Sequence, residues 1–288
     1  QGNLYKASWG ADLNYWGANA DSYKGVYELK TNKDSNDYGA FISFLDSLNN
    51  LSDDDFPCYM ERNFEVNHYL KTLAAEIIIG HWDGHAYNNN NFYLYRQPSN
   101  GKFVFIEYDL DNTFGIDWFG IDWAYRDLNA WHQSNRPLVE RLLEIPYYKD
   151  VFNAHLDTLL TDLDTSNWYS LLESQQNLIK SAVQSDTYYR KDYGFQFSDF
   201  LDALDDNYGA HVKKGLAEYL DERITSGLSQ VDWIGNLEPP CDELPIEPER
   251  QIIKIVDFIG RETQFRTDIP LIIMYDDGTV EKVMVWGS

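Results

Sequence analysis

Apolar residues recur at helical spacing in two segments near the start of the chain. Phe41, Phe44 and Leu48 share one face and predict a helix over residues 38–48. The apolar positions of 66–78 predict a second helix, which Gly80 ends. A polar loop follows over 81–90, so this second helix leads directly into a segment rich in Asp, Asn and His.

The pattern then changes to two short apolar runs separated by a turn. Residues 91–95 and 103–108 predict the strands of a hairpin, because Pro98 and Gly101 mark a turn between them. Beyond a loop rich in Trp and Asp, helical spacing returns over 137–227. Its third stripe is Leu171, Leu172, Leu178, Ile179 and Val183, and its last is Val212, Leu216, Leu220 and Ile224. We expect these stripes to pack in the core.

The carboxy-terminal part has a different composition. Residues 238–250 are rich in Pro and acidic residues and predict a linker. Residues 251–288 predict a small β module, with strands over 252–259, 271–275 and 280–286 and a turn at Asp276-Asp277-Gly278. The pattern as a whole predicts an α+β fold, with a mainly helical domain over 1–237 that carries the hairpin.

Composition limits the possible partners. The chain has 288 residues, 43% of them hydrophobic and 16% aromatic, as expected for a globular protein with a substantial core. Its net charge of −24 argues against nucleic acids and anionic membranes as partners. No apolar run is long enough to span a membrane. Cys58 and Cys241 permit one disulfide in an oxidising compartment.

The carboxylates at the end of the hairpin carry the first chemical hypothesis. Asp109 and Asp111 follow an apolar strand, where their oxygens can converge on a divalent cation or a phosphate. The Asp-x-Asp-x-Thr pattern ending at Thr113 resembles haloacid-dehalogenase phosphatases, in which Asp109 would be the nucleophile and Asp111 the acid/base. Those enzymes require an alternating β/α fold, whereas a hairpin precedes this motif and helices follow it.

The loop before the hairpin supports a second hypothesis. Asp83 is followed by the asparagines 88–91, then by the hairpin, and then by Asp109 and the Phe114-Gly115 turn. This is the order of parts in a kinase active site, where one carboxylate orients the attacking hydroxyl while an amide and a second carboxylate hold the metal.

These segments resemble the CotH kinase-like proteins of spore coats and secreted enzymes. The resemblance rests on His81-Trp82-Asp83-Gly84, Asn91-Phe92-Tyr93-Leu94-Tyr95, Gly101-Lys102-Phe103 and the segment from Asp109 to Gly115. Leu4-Tyr5-Lys6 resembles the segment that precedes this core, and the helices after Pro137 resemble those that follow it. The similarity covers roughly residues 1–232.

The resemblance implies the carboxy-terminal lobe of an atypical protein kinase, which uses ATP with Mg²⁺ or Mn²⁺ to phosphorylate Ser/Thr hydroxyls of secreted or surface proteins. Asp83 matches the catalytic aspartate and Asp109 the metal ligand, with Asp111 beside it. Asn91, which abuts the strand, is the preferred amide ligand, and Asn88 is the alternative. The chain begins almost at Leu-Tyr-Lys, so we expect the family's amino-terminal lobe to be missing and activity to be uncertain.

Other interpretations stay open. The chain could be a non-catalytic, pseudokinase-like module that binds a surface or a carbohydrate. Asp83 could cap a helix, Asp109 and Asp111 could cap their turn or hold Ca²⁺, and His81 with His85 has the spacing of zinc ligands. The carboxy-terminal module resembles, over a short stretch, modules linked to export and surface attachment. It therefore implies an extracellular or cell-surface protein that contacts export machinery.

Overall fold

The computed structural model describes residues 1–191, 194–235, 237–241, 252–257, 260–266, 270–275 and 280–283. The chain divides into two compact units, Gln1–Leu244 and Pro245–Ser288. The helices of the first unit are α1 Gly39–Asn50, α2 Phe56–Asn63, α3 Val66–Ile78, α4 His85–Asn88, α5 Pro137–Leu143, α6 Pro146–Thr165, α7 Trp168–Ser185, α8 Phe197–Asp202 and α9 Leu216–Leu228, with 3-10 turns at Ala20–Ser22 and Tyr189–Lys191. Its strands are β1 Leu4–Ala7, β2 Tyr27–Leu29, β3 Phe92–Arg96 and β4 Phe103–Glu107. The predicted α+β class is confirmed.

The four strands of this unit form one antiparallel sheet in the order β2-β1-β3-β4. Alternate residues of β1, β3 and β4 are buried, among them Tyr5, Leu94 and Phe105, whereas their neighbours face outward. The predicted hairpin is therefore confirmed, and it pairs with a strand close to the amino terminus. The sheet holds the start of β3 and the end of β4 side by side, because Tyr108 N donates to Asn91 O at 3.1 Å.

Helix α3 is the central helix of the unit and has the predicted bounds. Its buried positions repeat at helical spacing, and it packs against α6, α9 and β4. Two buried side chains of α9 cover its carboxy-terminal end: Tyr219 Oη donates to Ile78 O at 3.1 Å, and Arg223 Nη2 donates to Ile77 O at 2.9 Å. These bonds satisfy carbonyls that a helix end leaves unpaired.

Three expectations about helices were wrong. Helix α7 forms, but its apolar stripe is not core: Leu178 is 74% exposed and Ile179 48%. Val212 precedes α9 and makes an isolated bridge with Ile116 instead of opening the helix. The loop 81–90 contains the short helix α4, and α2 was not predicted, because four to eight residues are too few to establish a helical period.

The two cysteines form a disulfide between α2 and the segment after α9, with a sequence separation of 183. Among the tryptophans, Trp123 and Trp131 are buried in the core, whereas Trp9 and Trp118 are exposed. No helix in the described ranges is both long and apolar enough to cross a bilayer.

The second unit contains an antiparallel sheet in the order β5-β6-β7, formed by β5 Ile252–Asp257, β6 Leu271–Tyr275 and β7 Val280–Val283. Val256, Leu271 and Ile273 are its buried apolar side chains among the described residues. The predicted turn at 276–278, the ends of the outer strands and most of the predicted linker lie outside the described residues.

Candidate active site

Asp83 lies in the loop that follows α3, and two amides hold its carboxylate. Asn88 Nδ2 donates to Asp83 Oδ1 at 2.5 Å, and Asn91 Nδ2 donates to Asp83 Oδ2 at 2.9 Å. Since a carboxylate can only accept, both amides must present their NH₂ groups to it, which leaves their carbonyl oxygens available to another ligand. The structure thus brings together three of the residues singled out from the sequence.

The asparagine run has a conformational reason. Asn89 has φ 54° and Asn91 has φ 55°, both in the left-handed region. Asparagine tolerates this region better than most residues, because its short polar side chain can bond locally. The two left-handed residues end α4 and turn the chain into β3, and this places Asn91 beside Asp83 at the start of the strand.

The second pair of carboxylates lies on the turn after β4. Asp109 has φ 56°, and both Asp109 and Asp111 are exposed. The pKa of Asp111 is raised, first because its carboxyl is partly desolvated and then because Asp109 and Asp83 place negative charge near it. The three carboxylates therefore belong to one electrostatic patch, as expected from the order of the motifs in the sequence.

His81 supports this patch from beneath. Its ring is buried, and burial lowers its pKa to about 4 although the charges of Asp83 and Asp109 act in the opposite direction. A methyl group at Gly84 would lie 2.6 Å from His81 Cδ2, so the loop can fold over the ring only with glycine there. The ring is therefore neutral at physiological pH and fills the space under the loop. With His85 also fully buried, the zinc interpretation gains no support.

Contacts between the two segments fix the turn against the loop. Phe114 N donates to Ile79 O at 2.7 Å, and Trp82 Nε1 donates to Ile116 O at 2.8 Å. Gly115, with φ 85°, lies against Tyr219, whose ring would be 3.1 Å from a methyl group at that position. The same tyrosine thus contacts the turn and bonds the end of α3.

Sequence reasoning missed His81, Tyr219 and Arg223 as parts of this structure. The sequence presents His81 as part of the family motif and as a candidate zinc ligand, and its position two residues before Asp83 is the signal for a supporting role. The signal for the other two was their position on the apolar stripe of α9, where a buried polar side chain needs specific partners.

A cavity of about 560 Å³ opens beside the carboxylates. Its wall includes Asp111 and Phe114 from the turn, and Tyr208 and Lys214 from the segment before α9. Lys214 is already neutralised, since its ammonium pairs with Asp122 at 2.8 Å and also with Glu222. The cavity gives a second molecule access to the Asp111 side of the site.

The donor set fits a hard divalent cation that completes its shell elsewhere. Within the described part of the chain, no three His, Cys, Asp or Glu side chains are grouped as metal ligands. Mg²⁺ is commonly held by only one or two carboxylates, with waters and substrate phosphates as its other ligands. Asp109, Asp111 and the amide oxygen of Asn91 are the residues that would hold such a cation, which would also offset the charges of Asp109 and Asp83 that, after partial desolvation, raise the pKa of Asp111.

The order of these parts is compatible with a kinase-like lobe: a central helix, a loop aspartate, an asparagine that opens a hairpin, and a carboxylate turn. The chain belongs to the CotH kinase protein family, whose model matches residues 1–225. The resemblance inferred from the motifs is confirmed. The β tail lies beyond the matched residues, and its similarity to export modules stays a prediction.

Curated relatives include surface and coat proteins. The chain is 32% identical over 119 residues to Invasin CotH2 of Rhizopus delemar, an alignment covering 40% of this chain and 20% of the relative. It is 25% identical over 167 residues to Inner spore coat protein H of Bacillus subtilis, covering 58% of this chain and 44% of that protein. The chain thus spans less than half the length of these curated relatives.

Proposed function

We propose that this chain is the catalytic lobe of an atypical protein kinase, which transfers the γ-phosphate of ATP to Ser or Thr hydroxyls of secreted or surface proteins. The observation that carries the proposal is the Asp83 carboxylate, held by Asn88 and Asn91 next to the carboxylates of Asp109 and Asp111. Kinases use a carboxylate that accepts the hydroxyl proton beside an aspartate and an asparagine that hold the metal, and these residues would supply those parts.

Each residue has a defined task in this reaction. Asp109, Asp111 and the amide oxygen of Asn91 would hold Mg²⁺ or Mn²⁺. Asn88 differs from Asn91 in lying on α4 rather than at the start of β3, so we assign it to holding Asp83. The metal supplies charge neutralisation on the phosphates and fixes their orientation.

Asp83 accepts the proton of the attacking hydroxyl. The hydroxyl oxygen bonds to the γ-phosphorus, the bond from that phosphorus to the β–γ bridging oxygen breaks, and ADP leaves. The hydrogen bonds from the two side-chain amides keep the Asp83 carboxylate oriented, so little reorganisation is needed when the hydroxyl arrives.

An oxidising, extracellular setting is supported by the Cys58–Cys241 disulfide, since such bonds persist outside reducing compartments. The names of the relatives, an invasin and a spore coat protein, agree with a surface location. Attachment or export through the carboxy-terminal β module is part of the proposal.

Calorimetric titration of the chain with ATP and Mg²⁺ or Mn²⁺ tests the nucleotide site. We expect metal-dependent binding that Asp109→Ala abolishes, whereas Asp54→Ala, an exposed aspartate before α2, leaves it unchanged. In a phosphorylation assay on a Ser/Thr-containing protein, Asp83→Asn should reduce transfer about 10²–10⁴-fold without loss of metal binding. Equal activity of Asp83→Asn and wild type would contradict the assigned role.

The alternative is a non-catalytic module that binds a surface or a carbohydrate. It is favoured by exposed aromatic side chains near the site, since Trp118 stacks on His211 at 3.7 Å and is 57% exposed, and Phe119 is 52% exposed. Metal binding without any nucleotide binding would favour this alternative. Release of phosphate from a generic ester without nucleotide would favour the phosphatase hypothesis.

A further inference from the structure

Lys6 is a cation of β1 whose charge has no carboxylate partner among the described residues. Its side chain lies on the outward face of the sheet, and its ammonium lies 4.3 Å from the centroid of the Tyr108 ring. Tyr108 immediately precedes Asp109. In a chain of net charge −24, the Lys6 ammonium thus lies over the ring of the residue that precedes a predicted metal ligand.

The neighbours of Lys6 direct it toward the site. Glu28 is its cross-strand neighbour on β2 and would be its natural partner. Glu28 is instead bonded by Lys30 at 2.9 Å and by Lys33 at 3.2 Å. Because two other lysines neutralise this carboxylate, Lys6 is not drawn away from the β3–β4 side of the sheet.

The aromatic residues around Lys6 hold it weakly and in one direction. Tyr93, its neighbour on β3, packs edge to face against Tyr108 with ring centroids 5.1 Å apart. A cation–π contact at an exposed site contributes only about 0.5–1 kcal/mol. A phosphate oxygen is a stronger partner for an ammonium. The contact with Tyr108 therefore positions the ammonium and can be replaced when a phosphate binds.

We propose that Lys6 binds a phosphate of the metal-bound nucleotide, next to Asp109. This inference rests on the proposed function and adds a residue that the kinase-like motifs do not assign. Lys214, on the cavity wall by Asp111, is already paired with Asp122 and Glu222, whereas the Lys6 charge is uncompensated.

The test is titration of wild type, Lys6→Met and Lys6→Arg with ATP, tripolyphosphate and adenosine, each in the presence of Mg²⁺. Lys6→Met should weaken binding of ATP and of tripolyphosphate about tenfold, because one charge-assisted contact is lost. Lys6→Arg should recover part of that affinity. Adenosine binding should not change, since the ammonium contacts phosphate only.

Lys24→Met is the matched control. Lys24 also lies over a tyrosine ring, 6.0 Å from the centroid of Tyr38, but precedes the edge strand β2 and pairs with Asp21. Lys24→Met should leave the affinities for ATP, tripolyphosphate and adenosine unchanged. Circular dichroism should show that Lys6→Met and Lys24→Met are both folded.

The outcomes separate the two proposals. Wild-type affinity for ATP and tripolyphosphate in Lys6→Met would overturn the assignment of Lys6 and leave the proposed function intact. An equal loss for adenosine would also overturn it, since the effect would not be on phosphate. If the wild-type chain binds metal but no nucleotide or tripolyphosphate, the proposed function fails, and the role of Lys6 fails with it.

Discussion

The two carboxylate segments of the site are held in opposite ways. Asp83 is half-buried, accepts two amide hydrogen bonds and lies over the buried ring of His81. Asp109 and Asp111 are exposed on a turn, and partial desolvation, followed by the charges of Asp109 and Asp83, raises the pKa of Asp111. The first segment is organised by the protein itself, whereas the second has unbalanced negative charge.

The difference in how the two segments are held agrees with the chemistry that each would perform. A group that accepts a proton must be oriented before the substrate arrives, so its hydrogen bonds belong to the protein. Metal ligands gain their partner only when the cation binds, and before that they repel each other. We therefore expect substitutions in the Asp83 segment to affect folding, and those in the Asp109 segment to affect ligand binding.

The same substitution in both segments should give the largest contrast. Asn91→Asp replaces a buried amide donor by a carboxylate facing Asp83, which leaves uncompensated charge and should destabilise the fold by about 3–5 kcal/mol at pH 8. Asn112→Asp makes the same change beside the solvated carboxylate of Asp111 and should cost less than about 1 kcal/mol.

Urea denaturation of both variants measures this contrast. The loss in Asn91→Asp should shrink at pH 5, where one of the two carboxylates can take up a proton. Equal free energies of unfolding for the two variants would mean that Asp83 is no better held than Asp111.

Helix α3, which leads into the Asp83 loop, carries a buried carboxyl, Glu76, in its last turn. Burial, and then the charge of Glu107, raise its pKa from 4.5 to about 8. Because the folded state binds this proton more tightly than the unfolded state, the contribution of Glu76 to stability is complete below pH 4.5 and is lost as pH rises to about 8. Glu76→Gln removes this dependence.

Denaturation at pH 5 and pH 8.5 should therefore separate Glu76→Gln from wild type. The wild type should lose roughly 2–4 kcal/mol more than the variant over that range, an order-of-magnitude figure from the size of the shift. Glu107→Gln serves as an intermediate case, since it removes only the second cause. Parallel pH profiles of wild type and Glu76→Gln would show that Glu76 does not titrate in this range.

The smallest expected effect concerns Asp111 in the exposed segment. Asp109→Asn removes a negative neighbour and should lower the pKa of Asp111, as measured by carboxyl carbon NMR without metal. Asp54→Asn should leave it unchanged. Because the pKa of Asp111 is raised in the wild type, its carboxylate takes up a proton early as the pH is lowered. Mn²⁺ affinity should therefore start to decrease at a higher pH than it would for a site with an ordinary aspartate. If the pKa of Asp111 is the same in Asp109→Asn as in the wild type, the charge of Asp109 does not act on Asp111.

Local features of the fold were predictable because their causes lie in neighbouring residues. Helix α3 follows from one continuous apolar stripe that ends before Gly80, and the β3–β4 hairpin from two apolar runs around a turn. The order of Asp83, the asparagines and Asp109 indicated the family for the same reason. The roles assigned to these residues stay predictions.

The remainder depends on contacts between distant residues. Periodicity in α7 established an amphipathic helix but not what would cover it, and Leu178 is exposed. Tyr219 and Arg223 bond carbonyls 141 and 146 residues earlier in the chain, so no local pattern could identify their partners. The hydrogen bonds from Asn88 and Asn91 to Asp83 likewise depend on left-handed residues that the sequence permits but does not require.

The disulfide between Cys58 and Cys241 has a mechanical consequence. Tension applied to the two ends of the chain passes from Cys58 to Cys241 through the sulfur atoms. The intervening segment, which contains Asp83, Asp109 and helices α3 to α9, carries none of that load. Under such tension the segments outside this covalent ring, which include β1 and Lys6, would unravel first, whereas the segment that carries Asp83 and Asp109 would stay closed by the disulfide.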